Sequence, residues 1–237
     1  MSLDVVNQQN VAVQQVQPPA QQEVRPIREN NFPSALDKDN WKYPMRRVAQ
    51  EICPGVFLGP YCIATSQSLD YLTERQITHI ICVRHSVEAR FIKPNFENME
   101  RFTYMTLNIA DVGSENIIKH FKPVKAFIDA ALAANGRVLI HGNAGISRSA
   151  ALAIAYIMET YQLTYDETIK KMQLIRYCIN PNDGFVWQLK EYELIYRAAL
   201  GCQPGNHHNS NKRSISMVDD SETQNQNRIF KSEPMEE

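Results

Sequence analysis

Residues 141–149, HGNAGISRS, have the types and spacing to do chemistry in this chain. They lie between a short apolar run at 137–140 (RVLI) and a longer one at 149–161 (SAALAIAYIMETY). A loop that leaves a buried strand for a buried helix turns successive backbone amides toward one point, and the helix adds its positive end. Gly145 permits a positive φ or a close backbone approach. Arg148 supplies a planar fork able to grip two oxygens of one phosphate, a geometry lysine does not match. Ser149 stands where a side chain caps a helix. The chemistry is therefore anion binding. The competing anion motifs, GxxxxGK[ST] and GxGxxG, do not occur. Taken alone, GxxGxxR equally describes an ordinary turn with a solvent-facing arginine; His141 and the flanking strand and helix favour the cradle.

The elements that must position this loop follow from apolar patterning. Residues 51–58 (EICPGVFL) read as an edge strand, with Pro54 and Gly55 making a turn or bulge. A short helix is expected at 68–75, a buried strand at 79–83 (HIICV) and an alternating strand at 101–107 (RFTYMTL). A helix at 115–134 places Ile118, Phe121, Val124, Ile128 and Leu132 at helical spacing, and Asn135 and Gly136 stop it. Residues 137–140 form a central strand. Thr164 and Glu167 make a capping box that opens a helix to about Arg176, and Pro181 and Gly184 lead into a last helix at 185–200. Strands and helices alternate, so the fold class is α/β with a central, mostly parallel sheet flanked by helices. The folded part is expected at 45–200. The Gln/Asn/Pro-rich stretch 1–44 and the polar stretch 201–237 read as disordered tails.

The chain has 237 residues, a net charge of −1, 43% hydrophobic and 22% charged residues, enough for a core without disulfides or metals. Near-neutral charge argues against a general nucleic-acid or membrane-surface role. The five cysteines, Cys53, Cys62, Cys82, Cys178 and Cys202, are odd in number, irregular in spacing and form no CxxC pair. Reduced thiols, no structural zinc and no cofactor are expected. The first residues lack a secretory pattern, and the apolar stretch 150–158 is too short to span a bilayer. A cytoplasmic or nuclear location is the expectation.

With a cysteine at position 142 the loop would read HCNAGISRS, which fits the HCxxGxxR[S/T] phosphate loop of cysteine-dependent protein phosphatases. Over about residues 48–200 the chain resembles the dual-specificity protein phosphatase family. Four segments carry the resemblance: PGVFLGP at 54–60, the Asp111 region ending in Phe121, the loop at 141–149, and INPNDGFVWQLKEYE at 179–193. The combination looks most like one subgroup, the serine/threonine/tyrosine-interacting (STYX-like) pseudophosphatases, in which glycine replaces the catalytic cysteine.

The resemblance implies a mechanism and its loss. Active members attack phosphorus with a cysteine thiolate, hold the transferred group with loop amides and the arginine, and protonate the leaving oxygen with an aspartic acid. Asp111 matches that aspartate, ten positions before Phe121. Gly142 stands where the nucleophile should be, so the covalent step is unavailable. Ser147 and Ser149 have no identified base, and Asn143 is not a nucleophile. The implied phosphate site is Gly142, Asn143, Ala144, Gly145, Ile146, Ser147 and Arg148. His141, Ser149 and Asn182 support it, and Asp111 is a vestigial acid. The implied partners are phosphorylated proteins, with MAP-kinase anchoring and interference with an F-box ubiquitin-ligase subunit. Two other readings stand beside this one: an active phosphatase whose cysteine was changed to Gly142, and a phosphate-independent scaffold. The connection holding Arg84, Arg90, Lys93 and Arg101 is fairly basic and reads as a partner surface or a solvated face. Lys212-Arg213-Ser214 resembles a phosphosite, and 230–233 (FKSE) a SUMO acceptor.

Overall fold

Five short strands form one sheet: β1 (Gln50–Cys53), β2 (Val56–Pro60), β3 (His79–Arg84), β4 (Thr103–Asn108) and β5 (Val138–Gly142). Their order is β1-β2-β5-β3-β4. Every neighbouring pair is parallel except β1 with β2. The computed structural model describes residues 41–201; the expectations for 1–40 and 202–237, including both tail motifs, lie outside the described residues. The helices are α1 (Leu69–Glu74), α2 (Ile118–Ala133), α3 (Arg148–Tyr161), α4 (Tyr165–Ile175) and α5 (Asp183–Gly201). The α/β class with a mostly parallel sheet is what the structure shows.

Two elements differ from their sequence reading. Residues 51–58 are not a single edge strand but a hairpin. Pro54 and Gly55 make the turn, with Gly55 at φ +79°, and the Glu51 carboxylate accepts the Gly55 amide at 2.8 Å. Only β1 lies at the edge. β2 pairs in parallel with β5 and is buried along its whole length. A strand covered on both faces loses the period-2 alternation that would have separated it from its neighbour. β4 also departs from the expected alternation: its ends are exposed and its middle half-buried, as suits the opposite edge.

The sheet divides two cores. The larger gathers α2, α3, α4 and α5, and the smaller holds Leu72, Ile77, Phe96 and Phe102 beneath α1 and the 85–102 connection. α3 is the centre of the larger core, buried from Arg148 to Met158. Burying Leu152, Ile154, Ile157 and Met158 stabilises by about 1.5–3 kcal/mol each. The strand feeding α3 is the central one, so the turn between them is held from both sides. α2 stops as expected: Asn135 takes a left-handed φ of 56°, and the Gly136 amide donates to Ala131 O at 2.8 Å. The α4 capping box is present, with Glu167 N to Thr164 Oγ1 at 3.1 Å and Thr164 N to Glu167 Oε2 at 2.8 Å.

Candidate functional site: an amide-lined cup at the end of the central strand

The β5–α3 turn is tied down through its carbonyls. Asn143 O accepts from Tyr61 N at 3.0 Å, Ala144 O from Arg176 Nη2 at 2.9 Å and Gly145 O from Arg176 Nε at 3.0 Å. Ile146 O accepts from Asn180 N at 3.0 Å and Ser147 O from Ala151 N at 2.7 Å. Five successive carbonyls thus point outward to partners. No amide from Asn143 to Arg148 has an acceptor among the described residues. Amides on the other side of the same peptide planes face a cup of about 40 Å³, lined by residues 142–149. Gly145 holds φ +68°, and a Cβ there would collide with Gly59 O, so only glycine permits this close approach.

Ser149 does not cap α3, contrary to the sequence reading. Ser147 occupies the N-cap position, and its side chain makes no capping bond. Its hydroxyl is committed elsewhere, so the first amides of α3 stay available to an anion. Ser149 sits inside the first turn, buried, its Oγ 3.1 Å from where a Cβ on residue 142 would lie. The serine hydroxyl therefore borders the space that the missing side chain leaves.

Arg148 is buried rather than solvent-facing. Its Nη1 and Nη2 grip Glu88 Oε2 and Oε1 at 2.5 and 3.0 Å, and Nη1 also donates to Ile109 O at 3.2 Å. The arginine hydrogen bonds hold the Glu88 carboxyl below its ordinary range, with help from the His85 amide. Nε and the second Nη2 proton remain, a two-donor edge suited to a phosphate. Asp111 lies beside this edge: its Oδ2 is 3.6 Å from Arg148 Nε. Asp111 Oδ1 accepts from Ser147 Oγ at 2.6 Å and from Asn182 Nδ2 at 2.8 Å. Asn182 also donates its amide to Ser147 Oγ at 3.2 Å and accepts the Phe185 amide at 3.0 Å. Asn182 thus braces loop and acid together.

His141 lies beneath the loop. It is fully buried beside the Tyr61 ring, and neither ring nitrogen has a hydrogen-bond partner among the described residues. It supports the loop by packing. Burial lowers its pKa to about 4, so it is neutral near pH 7.

Sequence reasoning missed three features. Glu88 anchors Arg148 from a connection noted only for its basic residues; its signal is the helix-start spacing from His85. Arg84 is partly consumed internally, donating to Ile92 O at 2.6 Å. Arg176 is fully buried and serves Gly145 O, Ala144 O, Arg46 O, Val48 O and Gln50 Oε1. It has no carboxylate partner among the described residues and balances its charge entirely on carbonyl dipoles. The third feature is the contact of Gly113 with Gly184, where a Cβ on Gly184 would fall into the Gly113 carbonyl. Gln188 reinforces this contact, accepting from Ile117 N at 2.8 Å and donating to Glu115 O at 2.8 Å. Together they clip the Asp111 loop to α5.

No cysteine lines this cup among the described residues. Burial pushes Cys82, across from His141 on β3, up to about 11, and Cys53 up to about 12. Among the described residues no group of His, Cys, Asp and Glu is arranged to hold a metal ion, and no helix is long and apolar enough to cross a membrane.

A turn from a central parallel strand into a buried helix, with a buried arginine and an aspartate at the rim, places the chain among phosphatase-like α/β folds. The dual specificity phosphatase, catalytic domain family matches residues 56–195, and the chain belongs to that family. Within it, the chain is similar to the serine/threonine/tyrosine-interacting protein of Homo sapiens, 56% identical over 70% of this chain and 74% of that one. Serine/threonine/tyrosine-interacting protein B of Xenopus laevis is 56% identical over 69% of this chain and 73% of its own. The crystal structure of the human tyrosine phosphatase-like serine/threonine/tyrosine-interacting protein superposes with a TM-score of 0.62 at 56% identity, covering 64% of this chain and 99% of that one.

Proposed function

We propose that this chain is a catalytically inactive member of the family that binds phosphorylated protein side chains and does not cleave them. The observation that supports the reading best is the loop itself. Its five carbonyls are tied outward, its amides have no acceptor among the described residues, and Arg148 is pre-positioned by Glu88, while residue 142 has no side chain. Loss of the thiolate removes a negative charge that would face the phosphate. Removing the nucleophile from a serine protease leaves only about 10³–10⁴-fold acceleration over water. Phosphate-monoester hydrolysis needs up to ~10²¹-fold, so turnover is negligible on the same footing. The protein then acts by occupancy, competing with active phosphatases for a phosphorylated partner or anchoring it. The resemblance to serine/threonine/tyrosine-interacting proteins extends the proposal to MAP-kinase-type phosphoproteins and an F-box ubiquitin-ligase subunit as partners, met in the cytoplasm or nucleus.

The test is calorimetric titration of the full chain with phosphopeptides and with tungstate. Arg148→Ala is expected to abolish binding of both while the unphosphorylated peptides bind neither protein. Affinity unchanged by Arg148→Ala would make the cup irrelevant and favour a phosphate-independent scaffold.

A further inference from the structure

We propose that the outward face of α5 is a self-complementary docking surface, on which a second copy of this chain pairs with its α5 antiparallel to the first. α5 is apolar on two opposite faces. Phe185, Leu189, Tyr192 and Tyr196 are buried against the domain. On the other side Trp187 is 71% exposed, Leu194 70% and Ile195 45%. Trp187 and Leu194 are seven residues apart, two helical turns, and so lie on one stripe. Between them a groove of about 300 Å³ is bordered by Lys190 and Glu191. An amphipathic surface helix keeps its solvent face polar, and a tryptophan and a leucine on one exposed stripe depart from that pattern.

The charges choose the occupant. A two-fold axis midway between residues 190 and 191 sets Trp187 against Leu194 of the second copy, and Lys190 against Glu191 of the second copy, each contact occurring twice. Parallel pairing in the same register would instead oppose Lys190 with Lys190 and Glu191 with Glu191. Glu191 has no ion-pair partner among the described residues. Lys190 reaches Asp166 only at 3.8 Å, with both side chains more than half exposed, and lies 5.4 Å from the Tyr165 ring. Neither interaction prevents it from meeting a second carboxylate. One helix pair buries less than the roughly 1,200 Å² of stable interfaces, so the pairing is weak and depends on concentration.

Sedimentation velocity of the whole 237-residue chain, from micromolar to roughly millimolar concentration, reads this directly. A monomer–dimer equilibrium is expected, and Trp187→Glu weakens it at least about tenfold, as loss of an interface tryptophan does. Lys190→Glu and Glu191→Lys each weaken association alone. The double variant Lys190→Glu/Glu191→Lys recovers it, and an equimolar mixture of the two single variants associates more than either does alone. A chain that stays monomeric throughout overturns the proposal. So does a dimer indifferent to Trp187→Glu, or single charge variants that neither the double variant nor mixing rescues.

Discussion

Gly142→Cys should convert this protein into a phosphatase at little cost in stability. A Cβ on residue 142 would lie 3.1 Å from Ser149 Oγ, 3.5 Å from Ser149 Cβ and 3.5 Å from Val83 O. The closest of these is a hydroxyl that swings about one bond, so a few tenths of an ångström of relief are available. Gly142 ends β5 and, unlike Gly55 and Gly145, does not take a positive φ, so no backbone strain opposes a side chain. Replacing a strand glycine reduces unfolded-state entropy by about 0.5–1 kcal/mol, which offsets the crowding at Ser149. In subtilisin, loss of the nucleophile costs about 2 × 10⁶ in kcat, or 8–9 kcal/mol at about 1.36 kcal/mol per tenfold. Restoring one beside Arg148 and Asp111 should therefore raise aryl-phosphate turnover by roughly that order. The assay is the initial rate of aryl-phosphate hydrolysis by the native chain, Gly142→Cys and Gly142→Ser. Only the cysteine variant should turn over. A folded Gly142→Cys protein that binds phosphate yet stays inert would refute the claim that the acid and arginine are positioned for chemistry. Turnover by the native chain would refute the assignment of position 142 as the missing nucleophile.

Three further variants probe the supports of the cup. Glu88→Gln leaves a buried arginine half-paired; loss of one partner of a buried pair costs about 3–5 kcal/mol, and phosphopeptide affinity should fall with it in a chemical-denaturation and binding comparison. Because the folded-state pKa of Glu88 lies below its unfolded value near 4.3, its contribution is complete above that pH and is lost as pH falls through the folded value. Stability against pH should accordingly be flatter below about pH 4.5 in Glu88→Gln than in the native chain. Arg176→Met strips charged donors from Ala144 O, Gly145 O and three other acceptors; a loss above about 3 kcal/mol and a collapse of phosphate binding are expected. Gly184→Ala pushes the Asp111 loop off α5. In a Gly142→Cys background it should lower kcat while inorganic phosphate still competes as before.

The loop at 141–149 was legible in the sequence because the strand before it and the helix after it are both buried and therefore written in apolar residues. The orientation of its amides was legible only as an expectation, since the carbonyl anchors come from Tyr61, Arg176 and Asn180, distant in the chain. Glu88 was hidden for the same reason: its partner is 60 residues away, and its neighbours are basic. Arg176 was hidden because a fully buried cation contradicts the pattern that marks a helix end as solvent-facing. The hairpin of β1 and β2 reads in sequence as one strand because its turn is only two residues and β2 shows no alternation. Asp111 stands out in the sequence through family register rather than through its own chemistry.

The central claim is that the cup holds phosphate without cleaving it. Phosphorus NMR of a phosphopeptide incubated with the native chain reads both halves at once. The account predicts a phosphoester signal that shifts or broadens on adding the native chain, is unaffected by Arg148→Ala, and persists without growth of inorganic phosphate. An unperturbed phosphoester signal, or a growing inorganic phosphate signal, would contradict it.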